Sequence, residues 1–589
     1  MEPDRRTGSV HSVLRVPAVS AFIVGSVIAV DPAGLWPFGP ARWLVVSTCG
    51  VAVVALSLAR PERRLDRPTS RLWLVLLACL TAGALTNHDL WIALAGTDTR
   101  HFGLATWLLC WALFCAGQQL RDQEGALLKA CTAAALVVGS WSMWELFVSR
   151  PIALATTSSR LTGPLGSAAL LGAAVCLLLP PAVAVAADRS TARSWRVLAT
   201  IATVCCAAAA VGSGARAAWC GLLVAGLVIA WRVRGVRRPL AIVGSAVMVA
   251  VVLAMPLVGT VLERDQGATS RLDEWRVATR VIGNHPVVGV GPEGYRIAVS
   301  EGVDAEYERA HPRDNVLPDR AHSSLLDVAL AGGLFAAAAY AGLLFVIGRR
   351  AIRALPTSSP RRVALTASLL AYFSAQLLLF PVFELDPIAW LLAGVIVAGS
   401  QPRRPRHELS ARLLTVAGAS VAAVALVAGV LDVAANRLAR DAMLASADHD
   451  DAAAGDYAAR ATRLRPDSIA YRMIATQVLL AADTVTATDT GLTHAAAARD
   501  RSREDPIAGD LWASSMLQRA AQTGLDADGR SAVAAWQLLV DRDPNRARWQ
   551  LQLGNAAALV DDVEMARRAW ERAVALGQQQ AAQLLEALP

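Results

Sequence analysis

Gly166-Ser-Ala-Ala-Leu-Leu-Gly-Ala-Ala-Val-Cys-Leu-Leu-Leu-Pro-Pro-Ala-Val-Ala-Val-Ala-Ala187 contains no charged residue, and Arg160 and Arg189 stand beyond its two ends. As a helix it rises about 33 Å, and the hydrocarbon core of a bilayer is about 30 Å thick. The stretch therefore reads as a membrane span. Comparable stretches lie on either side of it, at about 16–36, 42–59, 72–87, 102–118, 126–148, 197–212, 215–231, 239–258, 324–348, 364–382, 386–400 and 411–432. Across the 589 residues, 55% are hydrophobic, 18% are charged and the mean hydropathy is +0.42. Soluble domains carry about 25% charged residues, so a soluble multidomain enzyme is excluded. Disordered and fibrous chains are excluded too, because charge is low and no short period runs through the sequence. The expected fold is all-α, a polytopic bundle of about thirteen spans followed by a soluble helical tail. The first span reads as a membrane helix rather than a cleaved leader, since further spans follow and no small-residue cleavage site does.

Charge supports this reading. The net charge is +8, but residues 437–589 hold 17 Arg against 21 Asp and Glu, so the first 436 residues carry +12. A cytoplasmic N-terminus puts 26 Arg and Lys in the inner loops, including Arg60, Arg63 and Arg64, then Arg232 to Arg238, then Arg403 to Arg406. The short outer loops hold only Arg42, Arg100, Arg150, Arg160 and Arg216. This is the positive-inside pattern of an inner-membrane protein, and it explains the basic balance without nucleic acid. Thirteen spans then place the tail outside the cytoplasm. The expected division is a membrane domain at 1–435, with a long extracytoplasmic loop at 258–323, and an extracytoplasmic helical domain at 436–589. All nine cysteines lie in apolar stretches before residue 221 and have no metal-ligand spacing. No metal and no cofactor are expected.

In the tail, Tyr457-Ala-Ala-Arg-Ala-Thr-Arg-Leu-Arg-Pro466 and Ala535-Trp-Gln-Leu-Leu-Val-Asp-Arg-Asp-Pro544 have the shape of helices closed by a proline. Trp549, Leu553 and Gly554 precede Ala566, Ala569 and Ala573, small residues spaced as the seam of a helix pair. The tail resembles tetratricopeptide repeats, with a Trp-to-Leu-Gly spacing one residue longer than usual. It is expected to dock polysaccharide-assembly proteins. A chain ended after Asn436 is expected to keep residual activity.

Three outward-facing features carry the chemistry. The first is Gly212-Ser-Gly-Ala-Arg216-Ala-Ala-Trp219, with an arginine at a membrane boundary where the loop-charge rule does not place one. The second combines Arg271-Leu-Asp-Glu-Trp275-Arg276 with Asn284-His285-Pro-Val-Val-Gly289-Val-Gly291-Pro292. Arginines beside exposed backbone N–H groups suit a pyrophosphate, although a plain structural turn explains the two glycines equally well. The third is Ala321-His322-Ser-Ser-Leu-Leu followed by Gly332-Gly333, a histidine at the mouth of an apolar helix. Its competing reading is a helix cap.

Taken together, these motifs resemble the O-antigen ligase/polymerase superfamily of membrane glycosyltransferases. The specific likeness covers about residues 160–345. Arg160-Leu-Thr-Gly163 and Gly96-Thr-Asp-Thr-Arg100-His-Phe-Gly103 also look like family features. One departure is His322-Ser323, where the family often has His-Asn. The resemblance implies transfer of a glycan from an undecaprenyl-pyrophosphate donor to an acceptor glycan, among membrane lipids on the outer face of the inner membrane, without metal. It implies catalytic roles for His322, Arg216 and Arg271, and substrate binding by Arg160, Arg100, Trp219, Trp275, Arg276, His285, Gly289 and Gly291. His322 would deprotonate or orient the acceptor hydroxyl, or contact the leaving phosphate. Glu145, Asp273, Glu274, Glu384 and Asp386 are rival general bases. The charged loop 300–320 is available as a lid. A transporter or flippase, or a scaffold presenting helical repeats, is the alternative. The former would show mid-span ionisable residues or paired inverted halves, and the latter needs neither thirteen spans nor the outer-face arginines.

Overall fold

The computed structural model describes residues 5–59, 65–87, 89–152, 160–231, 267–313, 318–398 and 408–588. These residues form helices and contain no strand, as the all-α expectation requires. Every expected span overlaps a helix except 239–258, which lies outside the described residues; the helices under 16–36 and 364–382 end earlier, at Ile28 and Gln376. Among the described residues, seven helices are long and apolar enough to cross a membrane by themselves, among them Pro40–Leu58, Ala168–Ala187 and Arg193–Ser213. Others, such as Arg216–Trp231 and Asp386–Val397, are apolar but shorter.

The quoted stretch forms the helix Ala168–Ala187 at the centre of the bundle, with both faces covered. Alanine and glycine let its neighbours approach: a Cβ on Gly172 would lie 2.6 Å from that of Ala215. Buried side chains from most of the membrane helices join it in one core, including Trp73, Phe114, Tyr340, Tyr372 and Trp390. Helix Glu408–Ala447 lies on the outside, and Val416, Val421, Val424, Val427 and Val430 are exposed along it. Such an apolar row has no reason to face water and suits lipid.

Loops expected on the inner side meet one another. Arg350 pairs with Asp66, Arg362 with Glu124 at 2.9 Å, and Arg361 with Asp188 at 3.1 Å. At the other end, the loop after Gly267 meets the tail. The tail is a run of short antiparallel helices from Asp451–Leu464 to Gln579–Glu586. Ala566, Ala569 and Ala573 are buried between them, and Gly554 leaves room for the Trp570 indole. No break occurs at residue 435, because helix Glu408–Ala447 runs straight through it. Asn436 is buried there, accepting from the Trp36 N–H at 3.0 Å and donating to the Trp36 carbonyl at 3.2 Å.

Candidate active site

Helix Ser324–Ala354 begins just after His322. The Ala321 N–H donates to the Asp327 carboxylate at 3.0 Å, and the Asp327 N–H donates to the Ser323 carbonyl at 2.8 Å, which closes the turn from both sides. His322 itself has φ 51°, a left-handed conformation uncommon outside glycine. Its imidazole is one-third exposed and meets the Phe380 ring edge-on at 5.2 Å.

Phe380 belongs to the turn between helices Pro360–Gln376 and Asp386–Val397 and organises the arginines around the histidine. The Arg100 guanidinium lies 4.8 Å from its ring centre and that of Arg320 5.8 Å. Cation–π contact holds each head group in place. Arg100 donates to Asp319 at 2.8 Å, and Arg320 pairs with buried Glu293. Burial works to raise the Asp319 carboxyl, but Arg100 and Arg320 outweigh it and hold the group below the usual carboxylate range. Burial, joined by the guanidiniums of Arg271, Arg100 and Arg320, pushes His322 down to about 4 against the pull of Asp319. The imidazole is neutral at physiological pH.

Arg271 lies in the first half of helix Gly267–Asn284 and donates to the Leu378 carbonyl in the same turn at 3.3 Å. Glu274, one helical turn further on, brings its carboxylate to 3.9 Å from His322 Nε2. Val277, Ala278 and Val281 anchor this helix against Tyr295, Val299 and Tyr307.

Helix register places Arg216. Helices Ala168–Ala187 and Arg216–Trp231 run parallel, since Gly172 faces Ala215 and Cys176 faces the Ala218 carbonyl. Pro360–Gln376 runs antiparallel to Ala168–Ala187, since Ser368 meets Leu177 and Arg361 meets Asp188. Gly221 touches the Ala371 carbonyl. Arg216, five residues before Gly221, is therefore level with Gln376, five residues after Ala371. Arg216 and Arg271 thus approach the turn 377–385 from two helices.

The remaining expected binding residues are spread more widely. Arg160 donates to the Ser213 carbonyl at 2.7 Å and so touches the loop before Arg216. Trp219 is half exposed and donates to the Ala210 carbonyl at 3.1 Å. Trp275 shares its helix face with Arg271, and its buried indole N–H has no hydrogen-bond partner among the described residues. Arg276 faces solvent and pairs with Asp273 at 3.1 Å. His285 pairs with Glu301 at 2.7 Å on the surface.

Gly289 and Gly291 both have positive φ. Part of this turn's backbone is engaged: the Val290 N–H donates to the Leu330 carbonyl at 2.7 Å and the Gly289 N–H to the His285 carbonyl at 3.1 Å. A Cβ on Gly289 would sit 2.3 Å from the Leu330 carbonyl. The described part of 300–320 also differs from a free lid. Arg313 is buried between Glu308 and Asp543, and Arg320 is buried on Glu293.

Four rival bases are occupied. Glu145 accepts from Arg150, Thr162 and Gly163. Asp273 pairs with Arg276 and His311, Glu384 with Arg42, and Asp386 accepts from Tyr372 and the Val382 N–H. Glu274 faces His322. Among the described residues no group of three His, Cys, Asp or Glu side chains is placed to hold a metal ion. Asp319, Arg320, Glu293 and Phe380 were not expected. Their one sequence signal is the charged pair Asp319-Arg320 directly ahead of Ala321-His322.

Residues 201–341 match the family model described as O-antigen ligase. The match contains Arg216, Arg271 and His322, and it bears out the resemblance read from their spacing. It leaves out Arg100, Arg160 and the tail. No curated protein matches the chain. The family match spans 141 of the 589 residues, and over that stretch the chain is similar to O-antigen ligases, a likeness that supports membrane glycan transfer in polysaccharide assembly.

Proposed function

We propose that the protein transfers a glycan from undecaprenyl pyrophosphate to a sugar hydroxyl at the outer surface of the inner membrane, as a ligase or polymerase. His322 Nε2 takes the proton of the acceptor hydroxyl. The acceptor oxygen bonds to the anomeric carbon as the bond from that carbon to the pyrophosphate oxygen breaks. The electron pair leaves with the pyrophosphate, and Arg216 and Arg271 stabilise its growing charge. Arg100, held on Phe380, adds to that field. Glu274 orients the imidazole and balances the imidazolium once it forms. The polyprenyl tail lies among apolar helices, since each CH₂ kept out of water contributes about 0.8 kcal/mol.

The observation that carries this reading is the placement of His322 3.9 Å from Glu274 and edge-on to Phe380, which holds Arg100 and Arg320; burial and the nearby guanidiniums lower its basicity. A neutral imidazole can accept a proton, whereas a histidine serving as a phosphate-binding cation would have to charge against Arg100, Arg271 and Arg320. No step is assigned to a metal, because guanidiniums supply the positive charge. We further assign the N-terminus to the cytoplasm, and the tail, which sits on the same side as His322, to the exterior. The test is transfer of lipid-linked glycan by detergent-purified protein, with and without a chelator. Full activity in chelator together with a dead His322→Ala variant is expected. Loss of activity on chelation, or an active His322→Ala, would overturn the mechanism. The glycan profile of a deletion strain then separates the two acceptors: single repeats mark a polymerase, and unattached full-length polymer marks a ligase.

A further inference from the structure

Between the membrane domain and the tail lies a cleft of about 290 Å³ that the reaction above does not use. This is near the lower end of small-molecule sites, ~300–1,000 Å³. Trp36 and Trp91 contribute aromatic surface to it. Asp98, Asp467, Gln477 and Arg296 line it with acceptors and donors. The cleft is built from fixed parts. Arg465 ties Asp98 to the tail at 3.6 Å and Asp467 at 2.8 Å, and Ser468 donates to Asp98 at 2.8 Å. Arg296 pairs with buried Asp505, yet its buried Nε–H has no hydrogen-bond partner among the described residues. Trp36 packs on Tyr471 with ring centres 5.6 Å apart, and Arg501 lies 5.6 Å from the Trp91 ring.

We propose that this cleft binds the sugar residues of a glycan chain adjoining the one that reacts. The inference rests on the glycan-transfer reading. The lining selects the ligand class. A sugar offers an apolar C–H face to an indole and hydroxyls that both donate and accept, which suits carboxylates, an amide and an unused guanidinium N–H. A phosphate would meet Asp98 and Asp467, and an acyl chain would offer nothing to the Arg296 Nε–H or the Gln477 amide. Position agrees with this. Asp98 is two residues, at most ~7 Å of chain, from Arg100 beside His322. Thr97 donates to Glu293 at 3.4 Å, and Glu293 holds Arg320 on the other side of the site. A chain leaving the histidine along this loop enters the cleft. The tail is thereby part of a substrate track.

The test uses the full-length protein in detergent. The probe is the lipid-free oligosaccharide released by mild acid from the cell's own lipid-linked glycan, and saturation-transfer NMR reads its binding. Trp91 is 43% exposed and Gln477 is also exposed, so neither side chain supports the core. Trp91→Ala and Gln477→Ala are each expected to weaken binding about tenfold and to raise KM far more than they lower kcat. A KM effect on the lipid-linked donor assigns the bound sugars to the donor chain, and one on the acceptor assigns them to the acceptor chain. Wild-type affinity and KM in both variants overturn the inference, even while His322→Ala abolishes transfer. Binding lost in both variants of a protein that transfers no glycan supports the cleft and overturns the reaction instead.

Discussion

His322 holds a conformation that costs energy and sits where a cation is disfavoured, and both facts predict its behaviour. A neutral imidazole is the active form of a base. Because burial and Arg271 push this group down to about 4, activity should be present above that value and lost as pH falls through it, with a one-proton slope. A free imidazole would give the loss near pH 6.5. Turnover measured from pH 3.5 to 8 checks this, and a limb at 6.5 or activity rising on acidification would contradict it. His322→Ala should lose roughly 10²–10⁴-fold, and His322→Gln should be nearly as poor because an amide accepts no proton at neutral pH. Arg216→Ala and Arg271→Ala should abolish transfer while leaving the amount of protein in the membrane near normal. Arg216→Lys should also fail, since an ammonium cannot make the bidentate contact of a guanidinium. Wild-type rates in either alanine variant would remove that arginine from the site. These three residues were singled out by the sequence because each stands at or near the start of a helix inside a local spacing. Phe380, Glu293 and Asp319 were not, because they come from separate segments with no pattern of their own.

At the scale of elements, the turn 286–291 and the kink in helix Ser324–Ala354 form one device. Gly333 has φ 77°, and the kink there lets the Leu334 N–H reach the Pro286 carbonyl at 2.8 Å while the Val290 N–H reaches the Leu330 carbonyl. This crossing fixes helix Gly267–Asn284, and with it Arg271 and Glu274, over the helix that begins at His322. Sequence spacing alone suggested an anion nest, since glycine enrichment is the same for a nest and for close backbone approach. The decisive fact is the approach of Gly289 to the Leu330 carbonyl, 41 residues further along the chain, which no local pattern encodes. Gly289→Ala should therefore destabilise the protein, by about 1–3 kcal/mol for the strained backbone and more if the Leu330 contact cannot relax. A lowered melting temperature of the purified protein, with activity falling in proportion to the folded fraction, is the expected result. Wild-type stability with weakened donor binding would restore the nest. The membrane helices themselves were legible because hydropathy over about 20 residues is a direct physical requirement of the bilayer. The expected boundary at 435/436 was not, because a helix can leave an apolar environment without any change in its backbone.

At the scale of the whole molecule, the tail is bolted to the side of the membrane domain that carries His322. Arg313 from the outer loop is buried between Glu308 and Asp543, at 2.7 Å from the latter, and Glu308 also accepts from the Ala547 N–H at 3.1 Å. Burial works against the Arg313 charge, but the two carboxylates more than restore it and hold the guanidinium above its ordinary value. Arg296 with Asp505 and Arg465 with Asp432 add two more such junctions. The long loop that carries Glu293, Asp319 and Arg320 is therefore held from outside. This changes the expectation, natural from sequence, that a chain ended after Asn436 keeps residual transfer. Pairing between residues 230 positions apart has no trace in local composition, so the tail read as a separate docking module. With the clamp present, the truncated chain should lose most of its turnover even in detergent. Arg313→Ala should do the same in the full chain, because it leaves Glu308 and Asp543 as buried, unpaired charges at a cost of about 3–5 kcal/mol. Asp543→Asn keeps a hydrogen-bond acceptor and should lose much less. The measurement is turnover of the three variants beside limited proteolysis of the 293–320 loop. Faster cleavage of that loop should track the loss of activity across the series, and a truncated chain with an intact loop and normal turnover would return the tail to recruitment alone.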